Sequence, residues 1–157
     1  MKKVFRFDDV CINADIKLLN RMVNFLKKNV SGCEILLGVS ALVHDMTSED
    51  STDSQRIFPK ILNAYSDHRK FYLVDHCGLP ELPDNVTIAG HGLIHVDHRL
   101  LSKEAQEMSI LTSCSLAKAR TFIPPFNKWN SHTEEICKEH QILSLIHISE
   151  PTRQAEI

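Results

Sequence analysis

Several absences narrow what this chain of 157 residues can be. No run of about 18 apolar residues occurs, so no membrane-spanning helix is expected. The basic start Met1-Lys2-Lys3 leads straight into Val4-Phe5-Arg6-Phe7-Asp8-Asp9, without the apolar stretch of a signal peptide. A cytoplasmic protein without a membrane partner is the expectation. The formal net charge of -2 gives no electrostatic attraction for nucleic acid. No Cys-x-x-Cys pair is present: Cys11, Cys33, Cys77, Cys114 and Cys137 are scattered and odd in number. They read as reduced, mostly buried thiols, not as a disulfide frame or a zinc knuckle. Internal repeats and low-complexity tracts are also missing. At 43% hydrophobic and 24% charged residues, the composition is that of a globular protein, and the length suits one domain.

What the chain does have is histidine, nine in all. Three of them, His91, His95 and His98, fall in one short stretch, which is where chemistry is first to be sought. The hydrophobic pattern alternates strand and helix. Lys3 to Phe7 predicts a strand that delivers Asp8 and Asp9 at its C-terminal end. Ile16, Leu19, Met22, Val23 and Leu26 predict a helix over 15–28, with Asp15 or Asn13 as its cap. Glu34 to Val39 reads as a buried strand. Thr47 to Gln55 reads as an exposed loop, and Ile57 to Tyr65 as a helix. Phe71–Asp75 and Val86–Ala89 are further strand candidates. A helix capped by Ser102 is expected to run to about Lys118 through Ala105, Met108, Ser109, Leu111 and Leu116. Thr121 to Ile123 gives a brief fifth strand, and Ser131 with Glu134 reads as a capping box for a last helix ending near His140. Strands alternating with helices predict an α/β fold with parallel pairing. Acids, histidines and Pro124-Pro125 all follow strands, which puts a site at the strands' C-terminal ends.

Three pieces in order, Phe7-Asp8-Asp9, His91-Gly92-Leu93-Ile94-His95 and Phe122-Ile123-Pro124-Pro125-Phe126-Asn127, resemble the first three motifs of the polysaccharide deacetylase family, also called NodB-like or carbohydrate esterase family 4. The resemblance implies a distorted (β/α) barrel, here incomplete, with about five parallel strands. It implies metal-dependent removal of an N-acetyl or related acyl group from a sugar or glycan precursor. It makes Asp8 the catalytic base and Asp9, His91 and His95 the ligands of a divalent metal, Zn2+ foremost; Pro124, Pro125, Asn127 and Trp129 are read beside it as candidate contacts for a carbohydrate substrate. Two imidazoles four positions apart can face one way across a turn, and one carboxylate completes a three-ligand site with an open position. The chain departs from the family pattern at Gly92, where Ser or Thr is usual. It also has Phe122 where the third motif usually starts with Arg, with Arg120 two residues earlier. No match to the family's general-acid histidine precedes Ile142.

Each signal also has a plainer reading. Asp-Asp after a strand is common in caps and loops, and His-x-x-x-His often sits on a solvated helix face. His98 is a spare ligand or a loop residue; Trp129 is a sugar-stacking face or an anchor for its own loop. His44-Asp45 and Asp75-His76 are by default solvated. The first pair keeps open a competing function, a metal-dependent phosphohydrolase with further ligands gathered around it. A third reading is a glycan-binding or degenerate domain of the same fold without turnover. Finally, Leu143 to Arg153 (LSLIHISEPTR) resembles the translation of a transposase sequencing adapter. The expected organisation is therefore one deacetylase-like domain over 1–142, cut short, with an artefactual tail over 143–157.

Overall fold

The computed structural model describes residues 3–10, 15–40 and 86–144. Five strands, β1 (Lys3–Val10), β2 (Cys33–Val39), β3 (Val86–Gly90), β4 (Thr121–Phe122) and β5 (Leu143–Ser144), pair in parallel in the order of the chain, β1-β2-β3-β4-β5. An order without reversal is that of a singly wound (β/α) arc; a doubly wound sheet would reverse at a switch point. The arc is open among the described residues. None of their helices is long and apolar enough to cross a membrane.

The three α-helices among the described residues lie on one face. Helix α1 (Ile16–Asn29) starts at Asp15, whose carboxylate accepts from Leu18 N at 2.9 Å, and carries Lys27 and Lys28 at its negative end. It buries Leu19 and Val23 against Ile35, Leu37 and Val39 of β2. Burial of each such side chain is worth about 1.5–3 kcal/mol. Met22, grouped with them by spacing, instead shares the exposed side with Leu18 and Phe25. Helix α2 (Lys103–Leu116) is capped by Ser102 as expected. It crosses β3 so closely that a Cβ on Gly90 would lie 2.8 Å from Cys114 Sγ. Phe122 joins Ile110 and Cys114 of α2 to Ile136 and Cys137 of helix α3 (Ser131–Glu139) in a second cluster. The buried thiols of Cys114 and Cys137 are pushed up to about 11 and about 12, chiefly by desolvation, and stay protonated. The opposite face of the sheet carries Leu36, Ala89 and Ile123.

Three expectations change. The buried face of α2 is Ala105, Gln106, Ser109, Ile110, Ser113 and Cys114, whereas Met108, Leu111 and Leu116 are only half-buried. Polar partners explain this: Gln106 Oε1 accepts from Thr133 Oγ1 at 2.7 Å, and its Nε2 donates to Leu101 O at 3.1 Å. The last helix opens at Asn130, not Ser131, because extended Asn130 exchanges side-chain bonds with Thr133 and leaves Ser131 as the first helical residue. The strand Phe71–Asp75, the helix Ile57–Tyr65 and the pair His44-Asp45 lie outside the described residues. The fifth strand is Leu143–Ser144, just beyond the boundary drawn at 142. Its Leu143 N donates to Arg120 O at 2.7 Å while the Leu143 side chain is 70% exposed, so the pairing uses backbone groups that any sequence supplies.

Candidate metal centre

The C-terminal ends of β1, β3 and β4 meet at one edge. Between Phe7↔Leu37 and Val10↔Val39, β1 carries one residue more than β2, which is a β-bulge. Asp9 sits in it with φ 60°, a left-handed conformation that Asp tolerates better than most side chains. The bulge breaks the strand's alternation and sends the two adjacent carboxylates apart. Asp8 turns over β2, its Oδ1 so close to Gly38 that a Cβ there would lie 3.1 Å away. Asp9, 68% exposed, turns toward the histidines.

Those histidines leave β3 on a turn, not a helix. His91 N still pairs with Val39 O at 2.9 Å, and then Gly92 takes φ 85°, where a Cβ would lie 2.7 Å from Ile94 O. Glycine is required there. The turn brings the rings of His91 and His95 to 5.1 Å between centroids. Asp9 Oδ1 lies 3.4 Å from His91 Nε2 and 2.9 Å from His95 Nε2, and the three donor atoms fall within 4.8 Å of one another. Donors at 2.0–2.2 Å from a tetrahedral Zn2+ stand about 3.3–3.6 Å apart, so small side-chain adjustments would let the three grip one cation. His91 Nδ1 donates to Ile123 O at 2.9 Å, which fixes the tautomer and leaves Nε2 free as a ligand. Burial, the largest influence, holds the His91 pKa below its ordinary value and keeps the ring neutral, the state a metal requires.

Asp8 stands outside this trio. Its Oδ1 is buried without a hydrogen-bond partner among the described residues, an orphaned acceptor beside the cation pocket. Its Oδ2 is held by Arg6 Nη2 at 2.9 Å, and the same nitrogen donates to Asn127 Oδ1 at 2.7 Å. Arg6 thus supplies the cationic partner absent from the third motif. Strand alternation carries the signal, because residues 6 and 8 share a face.

The remaining expected residues separate. Pro124 and Pro125 are buried, and Pro125, its Cγ 3.1 Å from where a Gly92 Cβ would be, braces the histidine turn. Asn127 is exposed and tethered to Arg6. Trp129 is half-buried, its Nε1 donating to Glu134 Oε1 at 3.1 Å, an anchor to α3. His98 is fully buried and is not one of the donor trio. Phe126, not singled out by sequence, is 53% exposed at φ 57° and lies edge-on to His95 with centroids 4.2 Å apart.

No family model matches the chain, and no curated protein does. Two solved structures do. One is a CE4 family pseudoenzyme from Bacillus anthracis, 14% identical, TM-score 0.51, aligned over 92% of this chain and 42% of its own. The other is a family 4 carbohydrate esterase from Streptomyces lividans in complex with acetate, 13% identical, TM-score 0.50, over 92% of this chain and 60% of its own. The chain therefore spans about half the length of these structures. At such identities the likeness is one of fold, the α/β deacetylase-type arc of parallel strands.

Proposed function

We propose that the chain carries the metal-binding part of a hydrolase that removes an N-acetyl or related acyl group from a sugar. The observation that supports this most is the convergence of Asp9, His91 and His95 on one point with the Arg6-held carboxylate of Asp8 alongside. In this reading Asp9 Oδ1, His91 Nε2 and His95 Nε2 hold a divalent cation, Zn2+ first. When bound, such a cation acts as a Lewis acid toward an amide carbonyl and lowers the pKa of a neighbouring water. Asp8 takes the proton from the water that attacks the acyl carbon, and Arg6 keeps its carboxylate aimed. The C–N bond breaks as the nitrogen takes up a proton equivalent to the one removed from the water, giving acetate and the amine. Exposed Phe126 offers an apolar edge for a sugar ring.

A second reading, a glycan-binding domain without turnover, is favoured by one observation. Among the described residues no imidazole beyond His91 and His95 joins the cluster, so a general acid for the leaving amine is missing there. One experiment separates the two: measure Zn2+ binding calorimetrically and acetate release from N-acetylglucosamine oligomers, for wild type and Asp8→Asn. The hydrolase reading expects one bound Zn2+ in both proteins and acetate release lost by at least about a hundredfold in Asp8→Asn. Oligomer binding, measured in the same calorimeter, with no acetate release in either protein supports the non-catalytic domain, and absence of Zn2+ binding ends the hydrolase reading.

A further inference from the structure

We propose that Ser109 and His98 are positioning residues of the metal centre, forming a buried relay that locks the turn bearing His91 and His95 onto α2. The proposal rests on the reading of Asp9, His91 and His95 as metal ligands.

Both residues are fully buried. Ser109 Oγ accepts from Leu93 N at 3.0 Å and lies 3.1 Å from His98 Nε2, while His98 Nδ1 lies 3.0 Å from Val96 O. Only one arrangement of hydrogens satisfies every group. A carbonyl can only accept, so Nδ1 carries the proton of the His98 ring. Desolvation pulls the His98 pKa down to about 4, so the ring is neutral and Nε2 is a lone pair. Ser109 must then donate its hydroxyl hydrogen to Nε2 while its oxygen receives the Leu93 amide. The relay enters the turn at Leu93 and leaves it at Val96, the two residues that flank the stretch ending in His95.

The surroundings pack closely against the turn. A Cβ on Gly92 would lie 3.1 Å from His98 Cε1, so the turn rests directly on the ring. The ring in turn stands edge-on to Phe122 at 5.4 Å, and Ile123, the next residue, receives His91 Nδ1. The ligand histidines are thereby framed by α2 on one side and β4 on the other. A ligand set needs placement within a few tenths of an ångström, and outer partners of metal ligands typically contribute about 10- to 100-fold in affinity. A histidine that merely filled core volume would do none of this, since replacing it or its partner would change stability and leave affinity alone.

The test uses Co2+ as the probe, with wild type, Ser109→Ala and Ser109→Thr as the proteins. Co2+ titration followed by ligand-field absorption is expected to show affinity lowered by about 10- to 100-fold and an altered band in Ser109→Ala, and recovery of both in Ser109→Thr, which keeps the hydroxyl. Nitrogen-detected NMR of metal-free wild type needs no variant and is expected to show His98 as the Nδ1–H tautomer. The Nε2–H tautomer would overturn the relay, as would Co2+ binding by Ser109→Ala indistinguishable from wild type. Failure of wild type to take up Co2+ sinks the metal reading itself and the positioning role with it. That outcome is distinct from unchanged uptake in the variant, which sinks the relay's role alone.

Discussion

The two arms of the candidate centre are built differently. His91 is 2% exposed and has its second ring nitrogen tied to Ile123 O, on a turn held to α2 through Ser109 and His98. Asp9 is 68% exposed, on a left-handed bulge residue at the end of β1. One arm is preorganised by burial and hydrogen bonds, and the other by a local backbone distortion. The difference teaches where each kind of information is stored: the histidine arm in the core, so that damage to it spreads into stability, and the carboxylate arm in the bulge, so that it can be altered locally.

The sharpest way to break this comparison is His91→Ala. It removes a ligand, empties a buried volume and leaves Ile123 O without its donor. Metal affinity should fall by more than about a hundredfold, and the unfolding free energy of the metal-free protein by about 2–4 kcal/mol. Calorimetry and urea denaturation measure the two effects. Wild-type stability in this variant would mean that the histidine arm is no more embedded than the carboxylate.

Acidity provides a second, smaller strain on the same arm. An unfolded histidine takes a proton below about pH 6.5, whereas buried His98 resists until about pH 4. Between these values the unfolded state binds more protons, so stability is lost as pH falls. From His98 alone the loss between pH 7 and pH 5 is about 2 kcal/mol, and the lowered pKa of His91 adds in the same direction. Urea midpoints at the two pH values report the sum. A slope that persists undiminished in His98→Phe would show that this ring is not its main source.

The same contrast explains what the sequence disclosed. Alternation and helical spacing placed α1, β2, β3, α2 and β4 within a residue or two, and β1 to within three at its bulged end, because each has a face that must be buried. The order of Asp8-Asp9, the histidine pair and Pro124-Pro125 pointed to a common edge. Arg6 was missed, although its place two residues before Asp8 on one strand face held the signal. The buried polar face of α2 was not: Gln106, Ser109 and Ser113 recur at helical spacing, and polar residues at that spacing read as a solvated surface unless their partners are known. Those partners, Thr133 and His98, are brought there by tertiary structure. Asn130 and Ser131 are adjacent acceptable caps, and only the backbone angle at Asn130 decides between them. Trp129 had a functional reading open to it because nothing in the sequence ties its ring nitrogen to Glu134.

The smallest effect tests the carboxylate arm by reversing the usual sign. At φ 60° the Asp9 backbone is strained for any residue with a Cβ, and glycine relieves that strain while losing some unfolded-state restraint. With the side chain largely in water, its contacts to the two imidazoles contribute little to folding. Asp9→Gly should therefore raise the unfolding free energy of the metal-free protein by about 0.5 kcal/mol, while metal affinity falls by at least about tenfold. Denaturant curves and Zn2+ calorimetry on the same samples read both numbers. Strain retained at a residue whose side chain the fold does not need is what a binding role predicts, and a destabilised Asp9→Gly protein would show instead that the carboxylate is there to hold the bulge.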